Sequence, residues 1–125
     1  MKRITLALGL VALATILAAC SGATAAPGSP AAPADPNAPV VIAKDLQFSP
    51  TSRTVKAGTA FELVLDNQEA PPHNIQLSDA TGAKVFNGEI VSNAKVTYTV
   101  PALTAGSYTF ICEVHPDMKG TLTAE

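Results

Sequence analysis

The chain of 125 residues has no tryptophan, two cysteines, two histidines and two methionines, and only 14% of its residues are charged. Each scarcity excludes something. The length is enough for one domain and little else. With Lys2 and Arg3 set aside, six basic residues face ten acidic ones, a balance of −4. A nucleic-acid partner needs a basic footprint that such a chain does not offer. There is no internal repeat, and past residue 40 no stretch carries helical periodicity, which leaves strands as the building units. Apolar residues reach 47%, but part of that excess lies in the first twenty residues and overstates the core.

Those twenty residues read as an export signal. Lys2 and Arg3 form a short positive start, and Ile4 to Ala19 is an almost unbroken apolar run. Its length suits a signal peptide and is short for a membrane span. It ends in Leu17-Ala18-Ala19-Cys20, which resembles the lipobox of bacterial lipoproteins. That resemblance implies a signal peptide over 1–19, cleavage before Cys20 and a lipid on its sulfur. Ser21 follows, where an Asp would signal inner-membrane retention in diderm bacteria. The folded part is then expected outside the cytoplasm, on the periplasmic side or at the cell surface, tied to a bacterial membrane in an oxidising compartment. With Cys20 lipidated, Cys112 is the one free thiol of an exported protein, and a leftover cysteine in that setting needs a reason.

Residues 20–39 read as an Ala/Pro-rich tether. Pro27, Pro30, Pro33, Pro36 and Pro39 recur at every third position, the period of polyproline II. Without Leu, Ile, Val or aromatic residues after Cys20, the stretch cannot bury a core and is expected to be disordered or semi-rigid. At about 3.1 Å per residue it reaches on the order of 60 Å. The domain is expected over 40–125. Val40-Val41-Ile42 is a strand candidate, and apolar residues alternate with polar ones at Phe61/Leu63/Leu65, Ile75/Leu77, Val96/Tyr98/Val100, Tyr108/Phe110 and Leu122/Ala124. Turn signals fall at Lys56-Ala57-Gly58-Thr59, Asp66-Asn67-Gln68, Thr81-Gly82 and Thr104-Ala105-Gly106. Short strands with regular turns predict an all-β sandwich or Greek-key barrel.

The C-terminal stretch contains Cys112-x-x-His115-x-x-Met118, and the remaining histidine is His73, in Pro71-Pro72-His73-Asn74. Two imidazoles, a thiolate and a thioether are the ligand set of a trigonal His₂Cys copper site with a weak axial Met. Soft sulfur favours Cu(I) and imidazole accepts either oxidation state, so the set tolerates redox cycling. Two-residue gaps make a tight loop that presets three ligands, and His73 pins it to a distant strand. Parity agrees, because side chains alternate faces along a strand. Cys112 shares parity with Tyr108 and Phe110, His73 with Ile75 and Leu77, and Met118 with Leu122 and Ala124. All are expected on the core face at one end of the barrel, just under its surface. Taken singly, each residue also reads as ordinary core or loop; jointly they fit one metal. Zinc is the nearest competitor, and the soft, neutral methionine argues against it. A cysteine nucleophile with a histidine base lacks a third orienting group and an oxyanion-hole motif.

The tail Gly106-Ser-Tyr-Thr-Phe-Ile-Cys-Glu-Val-His-Pro-Asp-Met-Lys-Gly resembles the ligand-loop region of the blue copper proteins, or cupredoxins, of plastocyanin and amicyanin type. The spacing of His115 and Met118 is similar to that of amicyanins. The resemblance implies a cupredoxin domain at 40–125: a Greek-key β-sandwich of seven or eight strands with one copper ion cycling between Cu(I) and Cu(II). It implies one-electron transfer between redox protein partners by a monomeric carrier, not an enzyme. His73, Cys112 and His115 would be equatorial ligands and Met118 the axial one, with Asn74 holding the ligand loop from outside the coordination sphere. The loop histidine would emerge through an apolar docking patch, for which Pro72, Val114 and Pro116 are available. Ile111 stands where plastocyanins carry a Tyr linked to a second electron route, and no plant-type acidic patch is evident. Copper delivery or sequestration is the alternative function; such proteins are usually rich in Met or His, and this chain has one site's worth. A copper enzyme needs further histidines, and the dinuclear copper domain of oxidases needs two cysteines in the loop.

Overall fold

A computed structural model describes residues 35–125; the expected signal peptide, Cys20 and residues 20–34 of the expected tether lie outside them. Nine strands follow in order: β1 (Val40–Lys44), β2 (Gln47–Ser49), β3 (Ser52–Val55), β4 (Phe61–Asn67), β5 (Gln76–Ser78), β6 (Lys84–Asn87), β7 (Lys95–Val100), β8 (Gly106–Ile111) and β9 (Lys119–Ala124). No helix interrupts them among the described residues. They form two sheets, ordered β2-β1-β4-β7 and β3-β9-β8-β5-β6. The chain changes sheet after β2, β3, β4, β6 and β7. The β1–β4 and β3–β9 pairs are parallel and the rest antiparallel. Parallel neighbours cannot be joined by a hairpin, so each such connection passes through the opposite sheet. This is the all-β sandwich that the alternation predicted.

The core lies between the sheets. Val41, Ala43, Leu63, Leu65, Tyr98 and Val100 enter from one, and Leu77, Tyr108, Phe110, Leu122 and Ala124 from the other; all are buried. Gly120 faces Phe110 across the β8–β9 ladder. A Cβ there would press into the Phe110 ring and meet the Thr51 carbonyl oxygen at 2.5 Å, so only glycine fits. Arg53 of β3 donates from Nε to the Val40 carbonyl of β1 at 2.9 Å, joining the sheets.

Two sequence expectations are refined. The resemblance implied seven or eight strands, and the nine include three that alternation could not reveal. β2 and β3 each bury one side chain, Phe48 and Val55, and β6, at a sheet edge, buries none. One inward residue makes no period. Asp66-Asn67-Gln68 read as a turn, but Asp66 and Asn67 complete β4. Asn67 is 2% exposed and donates its backbone N–H to the Ala94 carbonyl.

Strand directions gather the loops 45–46, 68–75, 88–94 and 112–118 at one end. The loops 56–60, 79–83 and 101–105 lie at the other, where Gly58 N–H donates to the Leu103 carbonyl at 2.8 Å.

Candidate metal centre

Three of the loops at the first end are bound together by their own polar groups. Asn67 begins the work. Its Nδ2 donates to the carbonyls of Pro71 (2.9 Å) and Val91 (2.8 Å), and its Oδ1 accepts the Glu69 N–H at 3.0 Å. These bonds curl the segment after β4, stiffened by Pro71 and Pro72, around one buried amide. His73 then pairs with Val91 as a one-residue antiparallel bridge: His73 N–H donates to Val91 O at 3.0 Å and Val91 N–H to His73 O at 2.9 Å. The His73 backbone is thus held on both sides, and its ring is fully buried.

The ring is also oriented. His73 Nε2 lies 2.7 Å from Glu69 Oε1. An ionised carboxylate only accepts, so Nε2 carries the proton and Nδ1 presents a lone pair. That nitrogen faces the Cys112 sulfur at 3.6 Å. Burial raises the Glu69 carboxyl, but the Leu46 amide, the His73 ring and the Asp45 amide together outweigh it and hold it below the usual carboxylate value.

Cys112 follows the last residue of β8, and Met118 precedes β9. Cys112 N–H donates to Met118 O at 3.0 Å and Met118 N–H to His115 O at 2.9 Å, which closes the 112–118 loop. Cys112 is fully buried, Met118 is 2% exposed and His115 is half-buried. The Cys112 sulfur lies 3.7 Å from His115 Nδ1, and the two imidazoles meet with centroids 4.8 Å apart at 54°. The donor atoms of His73, Cys112 and His115 all fall within 4.8 Å of one another.

Asn74, fully buried, ties this loop to its neighbours. Its Oδ1 accepts the Glu113 N–H at 2.9 Å, and its Nδ2 donates to Gly88 O at 3.1 Å. The Glu113 carboxylate accepts from Asn87 Nδ2 at 3.2 Å and stands 3.8 Å from Lys84 Nζ. The 88–94 loop is anchored in turn by Tyr98, whose hydroxyl donates to Glu89 O at 2.6 Å. Burial first, and the Glu89 charge second, push that phenol above its ordinary value. A Cβ on Gly88 would meet the Tyr98 ring at 2.6 Å.

All four residues of the expected ligand set therefore come to one end of the sandwich, with Asn74 beside them; Cys20 lies outside the described residues. Sequence reasoning missed Glu69, Asn67 and Glu113. Glu69 precedes His73 by four, but a loop has no period to make that spacing informative. The donor set suits copper: two ring nitrogens converge on one thiol, and a buried methionine ends the loop. Such a cluster is able to bind one copper ion.

Fold and cluster together define a mononuclear copper protein of cupredoxin type. The family model for the cupredoxin-like domain matches residues 9–124, and the chain belongs to this blue copper family. It is similar to amicyanin-alpha of Methylorubrum extorquens, 36% identical over 86 residues that span 69% of this chain and 70% of the relative. It is similar also to plastocyanin of Scenedesmus fuscus, 34% identical over 88 residues, 64% of this chain and 88% of that one. Among solved structures, amicyanin from Paracoccus versutus superposes with a TM-score of 0.60 at 26% identity, over 74% of this chain and 86% of the other.

Proposed function

We propose that the protein moves single electrons between extracytoplasmic redox proteins through one type 1 copper site. His73 and His115 would hold the ion through Nδ1, Cys112 through its thiolate and Met118 through its thioether. Bound copper supplies the electron exchange by cycling between Cu(I) and Cu(II). The chain's own residues keep the site the same shape in both states. Glu69 fixes the His73 tautomer, Asn74 holds the loop at Glu113, and burial of Cys112 and Met118 keeps water from the sulfur ligands. The observation that carries this reading is the convergence of His73, Cys112 and His115 donor atoms within 4.8 Å. A closed site in which His73, Cys112 and Met118 are buried and His115 is half-buried suits passage of an electron better than exchange of the ion, which ranks copper delivery second.

In this reading residues 1–19 are a lipoprotein signal, Cys20 carries the lipid and residues 20–39 hold the 40–125 domain away from the membrane. Support comes from Leu17-Ala18-Ala19-Cys20 and the proline spacing. The protein is a carrier and not an enzyme. Loading with Cu(II) should give an intense visible thiolate-to-copper absorption, abolished by Cys112→Ser. A colourless copper complex, or colour surviving in the variant, would sink the assignment.

A further inference from the structure

We infer that the tip of the β1–β2 hairpin, Asp45-Leu46, is a positioning element for the metal centre: its backbone amides hold the Glu69 carboxylate, which in turn sets the His73 ring. β1 and β2 pair as far as Lys44 and Gln47, which leaves a two-residue turn. Both of its residues have a φ of 54°, as in the primed turn whose twist matches that of the strands. Asp-Gly or Asn-Gly closes such a turn most readily. Asp45 suits the first place, but Leu46 does not suit the second, where its Cβ crowds the backbone. The Leu46 side chain is 51% exposed, so packing offers little to offset the strain. A strained backbone persists where its surroundings over-determine it, and here the surroundings are Glu69. The ladder ends at Lys44 and Gln47 and leaves the Asp45 and Leu46 N–H groups over, and such donors need acceptors. Glu69 Oε1 accepts the Leu46 N–H at 3.1 Å, and the Asp45 N–H donates to the same carboxylate. That Oε1 is also the atom 2.7 Å from His73 Nε2.

One oxygen thus joins the hairpin tip to a proposed ligand, and the backbone around it fixes which way the control runs. The Glu69 main chain is held on both sides: its N–H donates to Asn67 Oδ1 at 3.0 Å, and its carbonyl accepts the Asn93 N–H at 3.0 Å. Gln68 N–H donates to the Ala43 carbonyl at 3.0 Å, which brings Glu69 alongside the turn. The end of a glutamate side chain is still free to rotate unless something holds it. Among the described residues, the turn amides and the His73 ring are what hold this one. The turn amides are fixed by strand pairing and carry no rotamer of their own, so they choose the carboxylate's place and the ring follows. His73 then keeps its proton on Nε2 and turns Nδ1 to the Cys112 sulfur at 3.6 Å. An outer partner of this kind orients a metal-binding imidazole as surely as the first contact does.

The test exchanges one turn for another in the copper-free protein and reads the ring nitrogen chemical shifts of His73, which report its tautomer. Asp45→Asn/Leu46→Gly keeps the primed turn, so the ring should stay protonated at Nε2. Asp45→Pro/Leu46→Gly sets φ to about −65° at the first position and removes that N–H, so the ring should divide between its two tautomers. Copper affinity, by chelator competition, should fall about tenfold or more in the proline variant and stay well above that level in the asparagine one. Adding Glu69→Ala to the proline variant should weaken binding little further, because both changes break one contact. Glu69→Ala alone should speed hydrogen exchange of the Asp45 and Leu46 amides about fivefold, the equivalent of one hydrogen bond; this measurement stands even if the proline variant fails to fold. A ring still wholly protonated at Nε2 in the folded proline variant, equal disturbance by the two turns, or turn amides that exchange no faster without Glu69 would overturn the inference. The affinity measurement rests on the copper reading above, but the ring shifts and the exchange rates are taken without metal. A colourless copper complex would therefore refute the electron carrier and leave the hairpin's role standing.

Discussion

The two ends of the sandwich turn the chain by different means. At the far end the loops rely on backbone geometry. Gly58 and Gly82 sit at φ values of +71° and +86°, where glycine alone is unstrained. Asp79 folds its own loop by accepting from the Thr81 hydroxyl at 2.6 Å and from the Thr81 and Ala83 amides. Each partner of the Asp79 side chain is within four residues, and the tie across that end runs through backbone alone, from Gly58 N–H to the Leu103 carbonyl. At the metal end the ties reach across the fold: Asn67 to Val91, Asn74 to Gly88 and Glu113, Glu69 to Leu46. A loop whose side-chain ties are its own, such as 79–83, can be replaced singly. A cross-linked set of loops holds its geometry jointly, as a metal site with little reorganisation requires.

Removing the centre of that set should have the largest effect on stability. Asn67→Ala leaves the Pro71 carbonyl and the Glu69 amide without a partner in a nearly dry place and takes one of two donors from the Val91 carbonyl, which keeps the His73 N–H. At about 1 kcal/mol for each lost bond or slightly less, urea unfolding of the copper-free protein should report a loss of about 2 to 3 kcal/mol. Thr81→Ala at the far end, exposed and local, should cost within about 0.5 kcal/mol. Similar losses at the two sites would break the contrast. Next in size is Glu69→Ala. Without the carboxylate the His73 ring loses its fixed tautomer, and copper affinity measured by chelator competition should fall about 10- to 100-fold. Unchanged affinity would show that burial alone orients the ring.

The same division explains what could be read from the sequence. β4, β7, β8 and β9 were legible because each buries a row of alternate side chains, such as Tyr108 and Phe110 or Leu122 and Ala124. The residues proposed as ligands stood out by type and scarcity, and parity placed Cys112 and Met118 inward, where both are buried. β4 broke its own pattern at Val64, which is 6% exposed although it alternates with buried Leu63 and Leu65. The supporting residues were not legible. Asn67 has a turn-former's identity and ends a strand. Glu69 and Glu113 are acids in loops, where an acid is ordinarily just solvated. Glu113 meets Asn74 across a separation of 39 positions, and no local pattern encodes a closure of that length.

The smallest effect should come from the far end, in the dependence of stability on pH. The Asp79 carboxyl is held below its ordinary value of 3.8, chiefly by the Thr81 hydroxyl; burial opposes, and the Ala83, Thr81 and Gly82 amides add to the lowering. A carboxyl with a depressed folded value releases its proton more readily when folded than when unfolded. Its contribution is therefore complete above the unfolded value, and it is lost as pH falls through 3.8 towards the folded one. Asp79→Asn removes this titration while keeping an acceptor oxygen for the turn. The stability difference between wild type and variant should be constant above about pH 5 and shrink on acidification below it. Glu69 also titrates low, but it does so in both proteins and cancels in the difference. Equal acid sensitivity of the two proteins would mean that the far-end loop is set by glycine geometry alone, which would sharpen the contrast with the side-chain ties around His73.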